Sequence, residues 1–140
     1  MVNITLRKVL IFIVTLTFGP FVSAQIDLGN LSSNPYLKES SSNKYGAGSK
    51  YNLKSINNPY GIYGSKYSNK SATNPYATDA PKLYDSQGNY KGKLSANKYD
   101  PESISNPYSI YSQVGSKDLY SKDSISNPYG TGLKIIGSDD

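Results

Sequence analysis

Apolar residues in this chain are grouped into a few short segments, which long polar stretches separate. After a first apolar run, residues 25 to 31 alternate between apolar and polar side chains, which is the period of a half-buried β-strand. Residues 133 to 136 contain the most apolar pair after that first run, Ile135 and Ile136. The pattern predicts a short strand in each segment, and the first is the candidate partner of the last.

A β-hairpin is predicted near the middle of the chain. The segments 82 to 84 and 89 to 91 flank the sequence Asp85-Ser86-Gln87-Gly88, which is typical of a tight turn. Gly88 is expected to take a positive φ there. Only Asp85 in this turn is a carboxylate, so the spacing does not predict a calcium-binding loop.

The first 24 residues have the pattern of a cleaved signal peptide. Arg7 and Lys8 precede a nearly unbroken apolar run from 9 to 22, and Val22-Ser23-Ala24 suits a signal peptidase. The alternative is a membrane anchor, but the run is shorter than the roughly 18 residues that a spanning helix needs. The sequence therefore predicts export to the periplasm or the outside of the cell, with no stable membrane span after cleavage.

Most of the remaining chain is built on a ten-residue unit: Tyr, three residues, Ser, two residues, Asn, Pro, Tyr. Four full copies occupy residues 51–60, 67–76, 99–108 and 120–129. Two looser copies, 36–45 and 90–99, keep both tyrosines and the Asn but have Lys in place of Pro. The fixed register predicts that the copies share a local structure.

Each unit contains signals for a helix start and for a turn. The residue after the first Tyr is a helix-capping type in the four full copies, namely Asn52, Ser68, Asp100 and Ser121. A helix started there must end before the proline, so a single helical turn is expected. Asn, Pro, Tyr and the next residue then match a type I turn, which would present tyrosines on a compact loop.

A longer duplication divides the chain into two halves. Residues 28 to 46 match residues 91 to 109 at many positions, so a first half at 25–81 and a second half at 82–137 precede an exposed tail at 138–140. The predicted fold is mainly irregular and turn-rich, a short-repeat protein with a few short β-hairpins and single helical turns. The alternative is a largely disordered chain, because aliphatic residues are scarce.

Composition narrows the function classes. Without residues 1 to 24, all 14 tyrosines remain as the only aromatic residues, and 13 lysines face ten acidic residues. This modest net charge argues against nucleic-acid binding, although Tyr and Lys can serve it. The chain has no His or Cys, which argues against an enzyme and leaves no predicted catalytic residue, cofactor or metal site.

The candidate binding or structural positions are the Asn-Pro-Tyr triplets. They are Asn58, Pro59, Tyr60, Asn74, Pro75, Tyr76, Asn106, Pro107, Tyr108, Asn127, Pro128 and Tyr129.

The repeats, the stretch from Leu83 to Tyr108 and the closing NPYGTGLKIIG resemble a group of uncharacterised small exported bacterial proteins with Ser-x-x-Asn-Pro-Tyr repeats. The resemblance covers most of the chain after residue 24. It implies a bacterial, exported protein and no particular activity.

Three functional hypotheses follow. The first is a non-enzymatic binding or structural protein that uses turn-presented Tyr and Asn to contact an envelope polysaccharide or a protein. The second is a disordered, tyrosine-rich matrix or coat protein that is cross-linked through tyrosine. The third is a small scaffold that folds on a partner protein.

Overall fold

A computed structural model describes residues 24 to 114 and 118 to 139. The predicted signal peptide lies outside these residues, apart from its last residue, Ala24. The described chain is mostly irregular around one four-stranded antiparallel sheet, in the order β1-β4-β2-β3. Its strands are β1 (Gln25–Leu31), β2 (Lys82–Tyr84), β3 (Tyr90–Lys93) and β4 (Leu133–Ser138).

The first and last strands pair, so the candidate partner named from the sequence is the one that the structure shows. β1 runs antiparallel to β4, with Gln25 opposite Ser138 and Leu31 opposite Leu133. The register shifts after Asp27, where Gly29 has a φ of 94°. Alternate residues of a strand share one face of the sheet, and on β4 Leu133 and Ile135 are buried on the face that carries the apolar cluster.

The predicted hairpin is also confirmed, as β2 and β3 with Gly88 at a φ of 81°. Asp85 holds its turn, because its carboxylate accepts the backbone amides of Gln87 at 3.0 Å and Asn89 at 2.8 Å. These bonds stabilise the charged form, so the pKa of Asp85 is lowered, chiefly by the Asn89 amide.

The predicted single helical turns are not found, since the described residues contain no helix, and so none that could cross a membrane. The chain forms consecutive three-residue turns instead. In the unit 51–60 and just before it, the amides of Ser49, Asn52, Ser55 and Asn58 each donate to the carbonyl three residues earlier, at 3.0 to 3.3 Å.

The side chains of these same four residues explain why no helix forms. Each accepts the backbone amide two residues later, at 3.0 to 3.2 Å. A backbone amide that donates to a side chain in this way does not form the hydrogen bond of an α-helix. The capping chemistry expected of Asn52 is therefore present, but it closes a turn.

The interior of the fold is small and largely polar. The apolar cluster consists of Leu28, Tyr63, Leu83, Leu133 and Ile135. Among the described residues, eleven Ser and Asn side chains are buried, against seven hydrophobic ones. No buried side-chain nitrogen or oxygen in this part of the chain lacks a hydrogen-bond partner. Hydrogen-bonded turns thus fill the space that a larger apolar core would occupy.

The duplication in the sequence reappears at the two edges of the sheet. Asn30, the second-last residue of β1, forms a parallel bridge with Ser40, and Lys93 in β3 forms the equivalent bridge with Ser103. Gly29 and Gly92 have the same φ of 94°. Each edge strand is thus covered by its own turn segment, which protects it from pairing with another chain.

Candidate functional site

The Asn of each Asn-Pro-Tyr triplet faces inward. Its side-chain nitrogen donates to the carbonyl six residues earlier at 2.9 to 3.1 Å, and its side-chain oxygen accepts the amide of the triplet's Tyr at 2.9 to 3.0 Å. The residues concerned are Asn58, Asn74, Asn106 and Asn127. Both ends of each amide are therefore used to hold the turn, and the asparagines are structural.

The Pro and Tyr of the triplets face outward. The exposed residues are Pro59, Tyr60, Pro75, Tyr76, Pro107, Tyr108, Pro128 and Tyr129. The structure therefore separates the predicted positions into an inner asparagine that sets the turn and an outer Pro-Tyr pair that a ligand can reach.

Six further tyrosines share this arrangement. Ten side chains in all, termed here the exposed tyrosines, have exposures of 86% to 100%: Tyr36, Tyr45, Tyr51, Tyr60, Tyr67, Tyr76, Tyr99, Tyr108, Tyr120 and Tyr129. The backbone amide of every one donates to a Ser, Asn or Asp side chain two residues earlier, at 2.9 to 3.2 Å. Each ring therefore projects from a fixed turn.

The serine of the unit is a structural residue that the sequence reasoning did not select. Ser55, Ser71 and Ser103 are fully buried, and Ser124 is nearly so. The hydroxyl of Ser103 donates to the Ser95 carbonyl at 2.9 Å and accepts the Ser105 amide at 3.0 Å. Its presence in every full copy was the signal that could have identified it.

A large groove of the described chain lies in the first half and has a volume of about 980 Å³. Three Lys-Tyr pairs line it: Lys44-Tyr45, Lys50-Tyr51 and Lys66-Tyr67. Ile56 and Pro59 add apolar surface, and no carboxylate lines it. We call it the Lys-Tyr groove.

The charge around the Lys-Tyr groove follows from the sequence. Between Glu39 and Asp79 the chain contains five lysines and no acidic residue. In the described part of the chain, the ammonium groups of Lys44, Lys50 and Lys66 form no ion pair. The net charge averaged over the whole chain is modest and conceals this local excess of lysine.

A second cluster, on β3, pairs its charges internally. The ammonium of Lys93 lies 3.2 Å from Asp100 and 3.1 Å from Glu102, and Glu102 also accepts the hydroxyl of Tyr90 at 3.2 Å. Burial acts to lower the pKa of Lys93, but these carboxylates together outweigh it and raise that pKa. The ring of Tyr90 contacts Tyr84 and Tyr111 edge to face. This cluster fastens β3 to the turns of the second half.

Tyr90 is expected to ionise at unusually high pH. Burial first, and the Glu102 carboxylate second, raise its pKa above the ordinary value of 10.0. The folded state then keeps a proton that the unfolded chain releases. Tyr90 therefore contributes stability below about pH 10, and this is lost as the pH rises from there towards the folded pKa.

Absorbance at 295 nm tests this prediction. Subtracting the titration curve of Tyr90→Phe from that of the wild type leaves the signal of one tyrosinate. The midpoint of this difference curve should lie above about pH 10. A midpoint at or below that value would contradict the geometry of the cluster.

In the described residues, no group of three or more His, Cys, Asp or Glu side chains is placed to hold a metal ion. No protein-family model, curated protein or solved structure matches this chain. The candidate site therefore rests on the exposed tyrosines and the Lys-Tyr groove.

Proposed function

We propose that this is a non-enzymatic exported protein with a binding or structural role at the cell envelope or outside the cell, and that its tyrosines make the contacts. The observation that carries the proposal is the set of ten exposed tyrosines on hydrogen-bonded turns. So much aromatic surface in contact with water is typical of an interaction surface.

The turns support binding because they reduce its entropic cost. A Tyr side chain has few rotatable bonds and offers a large amphipathic ring, so little freedom is lost on contact. Here the backbone below each ring is already held by the side chain two residues earlier. We infer that the ten-residue units are repeats of one such turn, each presenting the same chemistry.

Sedimentation with insoluble envelope polysaccharide tests the proposal. We expect the purified protein to sediment with the polymer, and the combined change Tyr60→Ala, Tyr76→Ala, Tyr108→Ala and Tyr129→Ala to weaken binding about tenfold or more. These side chains are exposed, so the variant should fold.

Ile110→Ala is the matched control. Ile110 is 86% exposed beside one of the triplets, so its loss removes apolar surface without removing a tyrosine. It should bind as the wild type does. Wild-type protein that stays in the supernatant, or a tyrosine variant that binds unchanged, would overturn the proposal.

The exposed tyrosines also favour a second candidate, a matrix or coat protein joined by tyrosine coupling. Oxidative coupling joins two phenol rings through a new carbon–carbon bond, while an external oxidant such as peroxide takes up the two electrons and two protons that the rings lose. Ten phenol rings are exposed in the described chain and can meet those of a second chain. Dityrosine fluorescence in material from the native source would support it. Monomeric, uncoupled protein in every native fraction would contradict it.

A further inference from the structure

The Lys-Tyr groove identifies a class of ligand within the proposed binding role, and this inference rests on that role. Three lysines and three tyrosines alternate along its lining, in pairs of adjacent residues. The other Lys-Tyr pair of the chain, Lys98-Tyr99, is not part of it. The fold has therefore gathered three of the four pairs into one place.

The positive charges of the groove favour an anionic ligand. Three lysines elsewhere in the described chain are paired with carboxylates: Lys134 with Asp27, Lys91 with Asp85, and Lys93 with two acids. The three groove lysines have no such partner and face no lining carboxylate. A ligand with several negative charges would supply the missing partners, and its binding would weaken with added salt.

Polar contacts hold together the turns that form the walls of the groove. The side-chain nitrogen of Asn57 donates to the carbonyls of Ser41 at 2.8 Å and Gly48 at 3.1 Å, which joins successive turns. The hydroxyl of Thr73 donates to the Gly64 carbonyl at 2.7 Å. A preformed groove binds without first having to order its walls.

The tyrosines of the groove indicate what kind of molecule carries the acidic groups. A Tyr ring presents a flat apolar face with a polar edge, which matches the C–H face and the hydroxyl rim of a sugar ring. Repeated Lys-Tyr pairs suit a ligand that itself repeats a ring and a charge. We propose that the Lys-Tyr groove binds a linear anionic polysaccharide, with its sugar rings against Tyr45, Tyr51 and Tyr67 and its acidic groups at the adjacent lysines.

Binding of defined polymers by the purified protein tests the proposal. Alginate supplies carboxylate groups, teichoic acid supplies phosphate groups, and dextran supplies uncharged sugar rings. We expect one or both anionic polymers to bind about tenfold or more tighter than dextran, with affinity falling as salt is raised. Comparing the two anionic polymers identifies the acidic group.

The decisive variant is Lys44→Gln, Lys50→Gln, Lys66→Gln in one chain. Three surface charges together are expected to contribute about tenfold to the affinity for the anionic polymer. The matched control is Lys38→Gln, Lys98→Gln, Lys122→Gln, which removes the same charge from exposed lysines outside the groove. It should retain most of the binding.

Each other outcome overturns the inference in a recognisable way. If dextran binds as tightly as the anionic polymers and the groove variant is unchanged, the groove is not the anion site, while the binding role survives. Equal losses of affinity in the two lysine variants would show that the charge of the whole surface, and not the groove, attracts the polymer. If duplex DNA binds more tightly than either polysaccharide through these lysines, the ligand is a nucleic acid. If no polymer binds, the proposed polysaccharide-binding role fails as well.

Discussion

Leu83→Ala is expected to reduce the free energy of unfolding by about 2 to 5 kcal/mol, the usual loss for a buried leucine. Leu83 is 0% exposed and lies in β2 opposite Ile135 of β4. Its side chain belongs to an apolar cluster of only five buried residues. Small domains have roughly 5 to 15 kcal/mol of stability in total, so this single change should remove a large part of it.

Denaturant unfolding followed by circular dichroism measures the effect, and Leu53→Ala is its control. Leu53 is 74% exposed on a turn of the first half, so the same substitution there should change stability by less than about 0.5 kcal/mol. Equal midpoints for the two variants would show that the sheet does not hold the fold together.

The sheet was predictable because its signals are local. Strand alternation in 25 to 31, the apolar residues at 133 to 136 and the turn ending at Gly88 each mark an element within a few residues. The duplication indicated that the segments now seen as β1 and β3 would be alike, and both lie at edges of the sheet. The choice of β1 as a partner of β4 required the structure, and so did the joining of all four strands into one sheet with β4 between β1 and β2.

The turns were predicted less well because two local structures compete for the same residues. Asn52 or Asp100 can cap a helix, and the sequence reasoning gave them that role. In the structure, Asp100 accepts the Glu102 amide at 2.9 Å, and Ser103, three residues after Asp100, accepts the Ser105 amide at 3.0 Å. Because a capping side chain occurs at every third position, each turn is closed by a side chain and does not extend into a helix. The three-residue spacing of these side chains is visible in the sequence, and it indicates consecutive turns in place of a helix.

The Lys-Tyr groove could not be predicted because its walls come from segments that only the fold brings together. Its lining extends from Ser41 to Thr73 and crosses three copies of the unit. The acid-free stretch between Glu39 and Asp79 was present in the sequence, and it marks the region although not the groove. Charge counted in short windows along the chain, and not over its whole length, would have separated the first half from the rest.

Gly132→Ala is expected to be the other severely destabilising change, because Gly132 sets the start of β4. Its φ is 68°, a left-handed conformation that costs an L-residue about 1 to 2 kcal/mol. A Cβ at this position would also overlap the carbonyl oxygen of Leu31, whose backbone pairs with Leu133. A backbone oxygen in the sheet cannot move aside cheaply, so the total loss should reach about 2 to 5 kcal/mol.

Gly88→Ala separates the two causes of this loss. Gly88 also has a positive φ, of 81°, but a Cβ there would meet no atom within 4 Å. Its variant should therefore lose only the conformational part, about 1 to 2 kcal/mol. The difference between the two unfolding free energies measures the contact between the turn before β4 and the end of β1. If the two variants were equally stable, β4 would not be held against Leu31, and the central position of β4 in the sheet would be wrong.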